Sequence, residues 1–489
     1  MSRPTATIAR HAAAYATGSV VGGITRAVLL PVIARTLAPD EYGVLALLLT
    51  VTNLLHLVFE LGLVTALIKF HAESGDAAFR RRLRSATFVF LPAIDVVLGA
   101  PFIFGRDALS TALFGTPEHG GLVAVAAATA FAAAQFQLFL AHLRADDRSR
   151  DFVILMGLKG AVSLGTTLAL VFGAGMGVSG FLLGSLAGPA CVALFFVPRF
   201  LVRSGVELAG ARALLRRMLA FGVPLVPAAL GLWVLTNLDT WLLRILAGLE
   251  SVGVYGFASE LCLPIALLLT SVQLAWPSFA FTRARQEGGA AEVARVYRHL
   301  FVVLAGGALA IAVLRHELLA VLGTPTYAPS ARVIPPFALA TCVYALSQAF
   351  ATGLQVAGDT RRLPLLVLVA AVLNGALNLV AIPRWEELGA AWATVVTNTV
   401  LAALILRESN RQFRIPFEVG RIVRILLTGV VLVAASEAAA GLAAVPAAAL
   451  RVAAVVLFAP LLVPAGALSG EELRALPRVA MDILRRKPV

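Results

Sequence analysis

Fourteen stretches of this chain are apolar for longer than a soluble fold can use. They lie near 12–37, 42–70, 85–105, 121–144, 152–172, 179–200, 218–246, 253–281, 299–322, 334–357, 363–382, 388–407, 421–443 and 446–468. A helix that crosses a bilayer needs about 20 mostly apolar residues, and each run reaches or approaches that length. The runs are continuous, rich in Ala and Leu, and do not alternate, so they read as helices and not as the short strands of a membrane barrel. Composition agrees, because 60% hydrophobic residues, 14% charged residues and a mean hydropathy of +0.90 lie outside the range of soluble domains. The expected fold is an all-α polytopic membrane protein with about fourteen spans. The first run carries Arg26 and has no small-residue cleavage site after it, which marks it as a retained helix and not a signal peptide.

Positive residues collect in cytoplasmic loops. Of the 40 Lys and Arg, 31 lie at the termini or in and beside the even-numbered loops, while the odd-numbered loops hold seven: Arg35, Arg106, Arg244, Arg315, Arg332, Arg384 and Arg451. Both termini are therefore expected in the cytoplasm, with the chain in a bacterial inner membrane. The net charge of +13 follows from these topological anchors, such as "FRRRLR" at 79–84, so nucleic acid is not an expected partner. The longest loops run to only about 20 residues, too short for a soluble catalytic domain, and the chain has no G-x-x-x-x-G-K-[ST] phosphate loop. No enzymatic activity is expected. Cys191, Cys262 and Cys342 fall inside the runs at wide spacing and read as packing residues.

Two pairs of segments repeat. "LAPDEYGVLA" (37–46) resembles "LAGLESVGVYGFA" (246–258), and "AQFQLFLAHLRADDRSR" (134–150) resembles "SQAFATGLQVAGDTRR" (347–362), so that Gln135, Asp146 and Arg148 recur as Gln348, Asp359 and Arg361. The displacement spans six helices, an even number, which makes this a parallel 6 + 6 repeat with two helices appended. The expected divisions are 1–217, 218–407 and the appended 408–489.

The stretch "LPVIARTLAPDEYGVLALLLTVTNLLHLVFELGLVTALIKF", with its helix-turn "LA-x-x-E-Y-G" and the later "ELGL" (60–63), resembles the first hairpin of Wzx-type polysaccharide-biosynthesis flippases of the multidrug/oligosaccharidyl-lipid/polysaccharide exporter superfamily. "LTNLDTWLLRILAGLESVGVYGFA" (235–258) is similar to the family's repeated counterpart. The resemblance implies a V-shaped, rocking pair of six-helix lobes that moves an undecaprenyl-diphosphate-linked oligosaccharide to the periplasmic leaflet. It also implies a pathway shared with a polysaccharide polymerase and glycosyltransferases, whether for O-antigen, lipopolysaccharide or exopolysaccharide.

Charges inside the runs can be weighed against that task, since they persist in a membrane only where they face protein, water or ligand. Arg26 lies mid-run, level with His56, and Glu60 is one turn from His56 on the same helical face. Arg26 reads either as a cation for the diphosphate or as the partner of Glu60 or His56 in a helix–helix pair. Lys159 is a further substrate-binding candidate, about 10 Å from the end of its run and able to snorkel. In the second half, Asp239, Asn374, Asn378, Thr394 and Thr397 share one depth below the outer boundary. A carboxylate, amide carbonyls and hydroxyls are hard ligands suited to a small cation, either Na+ or, through Asp239, a proton as coupling ion. The resemblance implies a sodium site between helices 7, 11 and 12, which Asp239, Asn374 and Thr394 match; Asn378 stands where the family pattern has a second acid. The alternative for the amides is helix–helix hydrogen bonding. The competing function is a multidrug exporter of the same superfamily, expected to have twelve helices and an acidic cavity. A membrane glycosyltransferase or polymerase ranks last for want of a large loop.

Overall fold

A computed structural model describes residues 23–73, 76–322, 325–359, 361–438 and 443–474. The first part of the first run (12–22) and the basic tail (475–489) lie outside them. Among the described residues the chain is helical, with no strand. Among the described residues, nine helices are long and apolar enough to cross a membrane, and a bent pair makes a tenth. Large apolar side chains such as Val96, Val97, Leu194 and Val431 point outward. Lipid, which needs no polar surface to wet, is the solvent such faces suit.

Contacts divide the chain into two compact units, Met1–Trp241 and Leu242–Val489. The division falls inside a helix because Trp241 packs against the core of Val51, Leu55 and Phe59.

The first unit opens with α1 (23–36), α2 (Pro39–Glu60) and α3 (Leu63–Glu73). "LAPDEYG" is a helix start: Pro39 occupies the first turn, and the Glu41 carboxylate accepts the Ala38 N–H at 2.9 Å. "ELGL" is a helix break, with Leu61 and Gly62 in the left-handed region at φ 49° and 68°. Gly62 is required there twice over, since a Cβ on it would also lie 2.4 Å from the Gly222 carbonyl oxygen.

The third span is α4 (Ala77–Ser85), a π-helical segment at Ala86–Phe90, and α5 (Leu91–Phe104). Asp76 caps it by accepting N–H bonds from Ala78 and Phe79. Short α6 (Arg106–Phe114) leads to α7 (Gly120–Ala145), α8 (Ser149–Leu168) with a second π segment at Ala169–Gly173, and α9 (Gly177–Ser204). Then come α10 (Ala211–Gly222) and α11 (Val226–Leu246).

The second unit repeats the order. α12 (Leu249–Leu261) and α13 (Leu263–Arg283) form a span bent by 49°. The expected run at 299–322 is divided differently: α14 (Gly289–Val313) starts ten residues earlier, and α15 (Arg315–Leu322) is separate. Arg298 thereby lies within a helix. α15 matches α6, each short and opening on Arg, and α16 (Ser330–Phe350) with α17 (Thr352–Ala357) matches α7. Helix α18 (Leu363–Gln412) is 50 residues long but turns at Glu386, whose φ is 49° and ψ −128°. Its limbs are the two expected spans at 363–382 and 388–407, and Asn374 of one hydrogen-bonds Thr397 of the other.

The appended pair, α19 (Val419–Glu437) and α20 (Ala444–Leu461), belongs to this second unit. Arg298 of α14 pairs with Glu418 and Glu472; Arg315, just beyond the other end of α14, pairs with Glu437. The two arginines are 17 residues apart, about 25 Å of helix. Arg451 of α20 adds a bond to Glu317 at 2.5 Å. Glu437, an acid inside an apolar run, is thus half of an ion pair.

Candidate substrate and ion sites

The first unit gathers every substrate candidate that the sequence offers. His56 and Glu60 face each other one turn apart on α2, with Nε2 to Oε2 3.6 Å. Lys159 lies near enough to both His56 and Arg26 for their charges to interact, and Arg144, at the end of α7, does the same for Glu60. Arg26 is exposed, while His56, Glu60, Lys159 and Arg144 are part-buried. Because α8 begins at Ser149 and not at the edge of the apolar run, Lys159 lies ten residues along it. That is about 15 Å, deeper than the sequence suggested. Its ammonium sits 5.5 Å from the centre of the Phe136 ring, which holds the side chain along the helix surface. The result is one polar stripe with three basic side chains and one acid. Arg144 was hidden from sequence reasoning because it looked like an ordinary loop anchor.

The second unit answers why an apolar run keeps two asparagines. Asn378 Nδ2 donates to Asn374 Oδ1 at 2.9 Å, and Asn374 Nδ2 donates to Thr397 Oγ1 at 3.4 Å. All three are buried, and the amides tie the two limbs of α18 together. One acceptor is left over: Asn378 Oδ1 is buried with no hydrogen-bond partner. Thr394, one turn before Asn398, donates its hydroxyl to Ala390 O at 2.9 Å and keeps its lone pairs. An orphaned carbonyl oxygen is a lone-pair donor that a small hard cation can satisfy. Asp239 belongs to the first unit, where it is buried and its Oδ1 accepts the Thr240 N–H at 2.8 Å.

A family model described as "Polysaccharide biosynthesis protein" matches residues 8–280, more than half of the chain. The chain belongs to that family. No curated protein matches this family member. Among solved structures it is similar to the lipid II flippase MurJ in an inward closed conformation, at 12% identity and a TM-score of 0.69, covering 91% of this chain and 98% of that one. It is also similar to an inward-facing multidrug resistance MATE transporter of the MOP superfamily, at 15% identity and TM-score 0.64, covering 81% and 97%. A third likeness, at 14% identity and TM-score 0.56, covering 83% and 95%, is to a MOP superfamily transporter from Pyrococcus furiosus described as having a binding pocket of reverse polarity. At these identities the likeness establishes the fold. This polysaccharide biosynthesis protein therefore shares the multi-pass architecture of the superfamily's transporters.

Proposed function

We propose that the protein is a flippase that carries an undecaprenyl-diphosphate-linked oligosaccharide from the cytoplasmic to the periplasmic leaflet by alternating access, driven by an ion gradient. The observation that carries this reading is the stripe of Arg26, Lys159 and Arg144 in the first unit of a polysaccharide biosynthesis family member. A diphosphate needs cations in a place otherwise hostile to charge, and charge-assisted hydrogen bonds from guanidinium and ammonium groups supply them. The His56–Glu60 pair balances part of that charge when substrate is absent. A cation exporter would be repelled by the same stripe, which disfavours the multidrug reading.

The coupling ion is read either as Na+ on Asn374, Asn378 and Thr394 of the second unit or, through Asp239 of the first, as a proton. Placement in an inner membrane with cytoplasmic termini is the reading that the charge asymmetry supports, and partnership with a polymerase and glycosyltransferases the one that the family supports. The test is translocation of a defined lipid-linked oligosaccharide in proteoliposomes, with and without a sodium gradient. Arg26→Ala is expected to stop translocation while the protein remains monodisperse; unchanged turnover would remove Arg26 from the substrate path.

A further inference from the structure

Asp95 sits on α5 inside the first unit and is 1% exposed. Its Oδ2 accepts a hydrogen bond from Gln135 Nε2 of α7 at 2.9 Å, and its Oδ1 is buried without any partner. The neighbours Ile94 and Leu98 pack into two hydrophobic cores on either side. The charged and titratable groups on the elements around it include His142 and Arg144 on α7, Arg84 on α4, His56 and Glu60 on α2, Arg106 and Asp107 on α6, and Asp239 on α11. Among the described residues, the neutral amide of Gln135 is the group that interacts with it electrostatically.

An ionised carboxylate in apolar surroundings needs several donors or a counter-charge, and one neutral amide is not enough. The neutral acid is the form that fits. If helix adhesion were the only requirement, Asn would supply the same hydrogen bond to Gln135 without that liability. What the acid adds is the ability to take up and give back a proton.

The seam between the third span and α7 continues from Asp95 as a ladder of polar groups. Thr87, in the π segment, bonds His142 Nε2 at 2.8 Å. Beyond it Asp146 holds His71 at 3.0 Å and Arg84 at 3.2 Å, within electrostatic reach of His142. Gln135 and His142 are seven residues apart on one face of α7, about 10 Å. Between those levels stand Phe88 and Phe139, with ring centroids 6.2 Å apart and Phe88 5.1 Å from His142. The ladder is thus interrupted by an aromatic plug, which would stop a proton leaking through this conformation.

We propose that Asp95 is a proton-binding site of this transporter, loaded and emptied through the Thr87–His142 and His71–Asp146–Arg84 groups when the aromatic plug shifts. The step moves one proton between the Asp95 carboxyl and water, relayed by His142, and breaks no other bond. Its role in coupling rests on the carrier reading above; its existence as a titrating group does not.

Two measurements test it. Infrared difference spectra of wild type and Asp95→Asn in lipid nanodiscs, titrated from acid to alkaline pH, should show a protonated-carboxyl band in wild type that fades on alkalinisation and is missing from the variant. Gln135→Leu should shift the midpoint of that band and serves if Asp95→Asn does not fold. No difference between the proteins, or a band that never titrates, would overturn the proposal. In proteoliposomes carrying a lipid-linked oligosaccharide, Asp95→Asn should reduce the response of translocation to a pH gradient at least tenfold. Asp95→Asn protein that keeps the wild-type response would overturn the coupling role. If wild type translocates nothing, the flippase reading fails, and the infrared titration alone decides Asp95.

Discussion

Arg298 offers the sharpest test of how the appended helices are held. Its side chain is 3% exposed and lies between Glu418, which precedes α19, and Glu472, which follows α20. Removing both acids in Glu418→Gln/Glu472→Gln leaves a guanidinium buried without a counter-charge, a change that costs about 3–5 kcal/mol. Glu472→Gln alone keeps one carboxylate and a neutral acceptor, so about 1–2 kcal/mol is expected, close to one charge-assisted hydrogen bond. Adding Arg298→Met to the double variant removes the stranded charge, and stability should return to within about 1–2 kcal/mol of wild type. For a unit of this size, 3–5 kcal/mol corresponds to roughly 6–20 °C in the unfolding midpoint. The assay is thermal unfolding in detergent followed by fluorescence-detected size exclusion, with the three variants completing a cycle against wild type. If the double variant loses no more than the single, or if Arg298→Met fails to rescue it, the arginine is not buried between these acids and the clamp is wrongly drawn.

Gly62→Ala should destabilise the first unit: left-handed backbone costs a non-glycine residue about 1–3 kcal/mol, and the contact with Gly222 adds an overpacking cost of a further 1–3 kcal/mol or so. Melting of the variant like wild type would show that the α2–α3 break relaxes freely. Burial raises the Asp146 carboxyl, yet the His71 bond and Arg84 outweigh it and hold the group below its ordinary value. The stability it supplies is therefore complete above the ordinary Asp value of about 4 and disappears as pH falls through the depressed one. Midpoints measured against pH should drop at the acid end, and less steeply in Asp146→Asn; parallel curves would contradict the assignment. Asn378→Ala should abolish sodium dependence of translocation in proteoliposomes, and dependence retained by the variant would remove the cation site.

Much of the architecture is legible from apolar length alone, because hydrocarbon imposes one constraint on every span. Each of the fourteen runs contains helix among the described residues, with breaks such as Leu61–Gly62 and an early end of the last at Leu461, and the recurring order from α2 through α9 and from α12 through α18 carries the duplication to which two short segment matches point. Boundaries were harder to read. Helix α14 begins in the polar stretch after Gly288 because its first turns pack as well as its apolar ones, which brings Arg298 indoors. Pairings were harder still: Arg315 and Glu437 are far apart in sequence, and so are Asp95 and Gln135, so no local pattern joins them. Gln135 did leave a trace, since it recurs as Gln348 in the second copy. For the site, the stripe of Arg26, His56, Glu60 and Lys159 could be guessed because each residue is costly in lipid. For Asn374, Asn378 and Thr397 the common level could be read and hydrogen bonding between helices stood as the alternative for the amides, but which group bonds which could not.

The π-helical stretch at Ala86–Phe90 decides which way the rest of the third span looks. A wide turn takes in one residue more than regular winding would, and each residue advances a helix by about 100°. Were these same residues wound regularly, every later side chain of α5 would swing around the axis by about that angle, carrying Asp95 off Gln135. A single widened turn is therefore what aims an acid at the centre of the bundle, and losing the widening while keeping its residues would re-aim that acid without touching any of the groups involved.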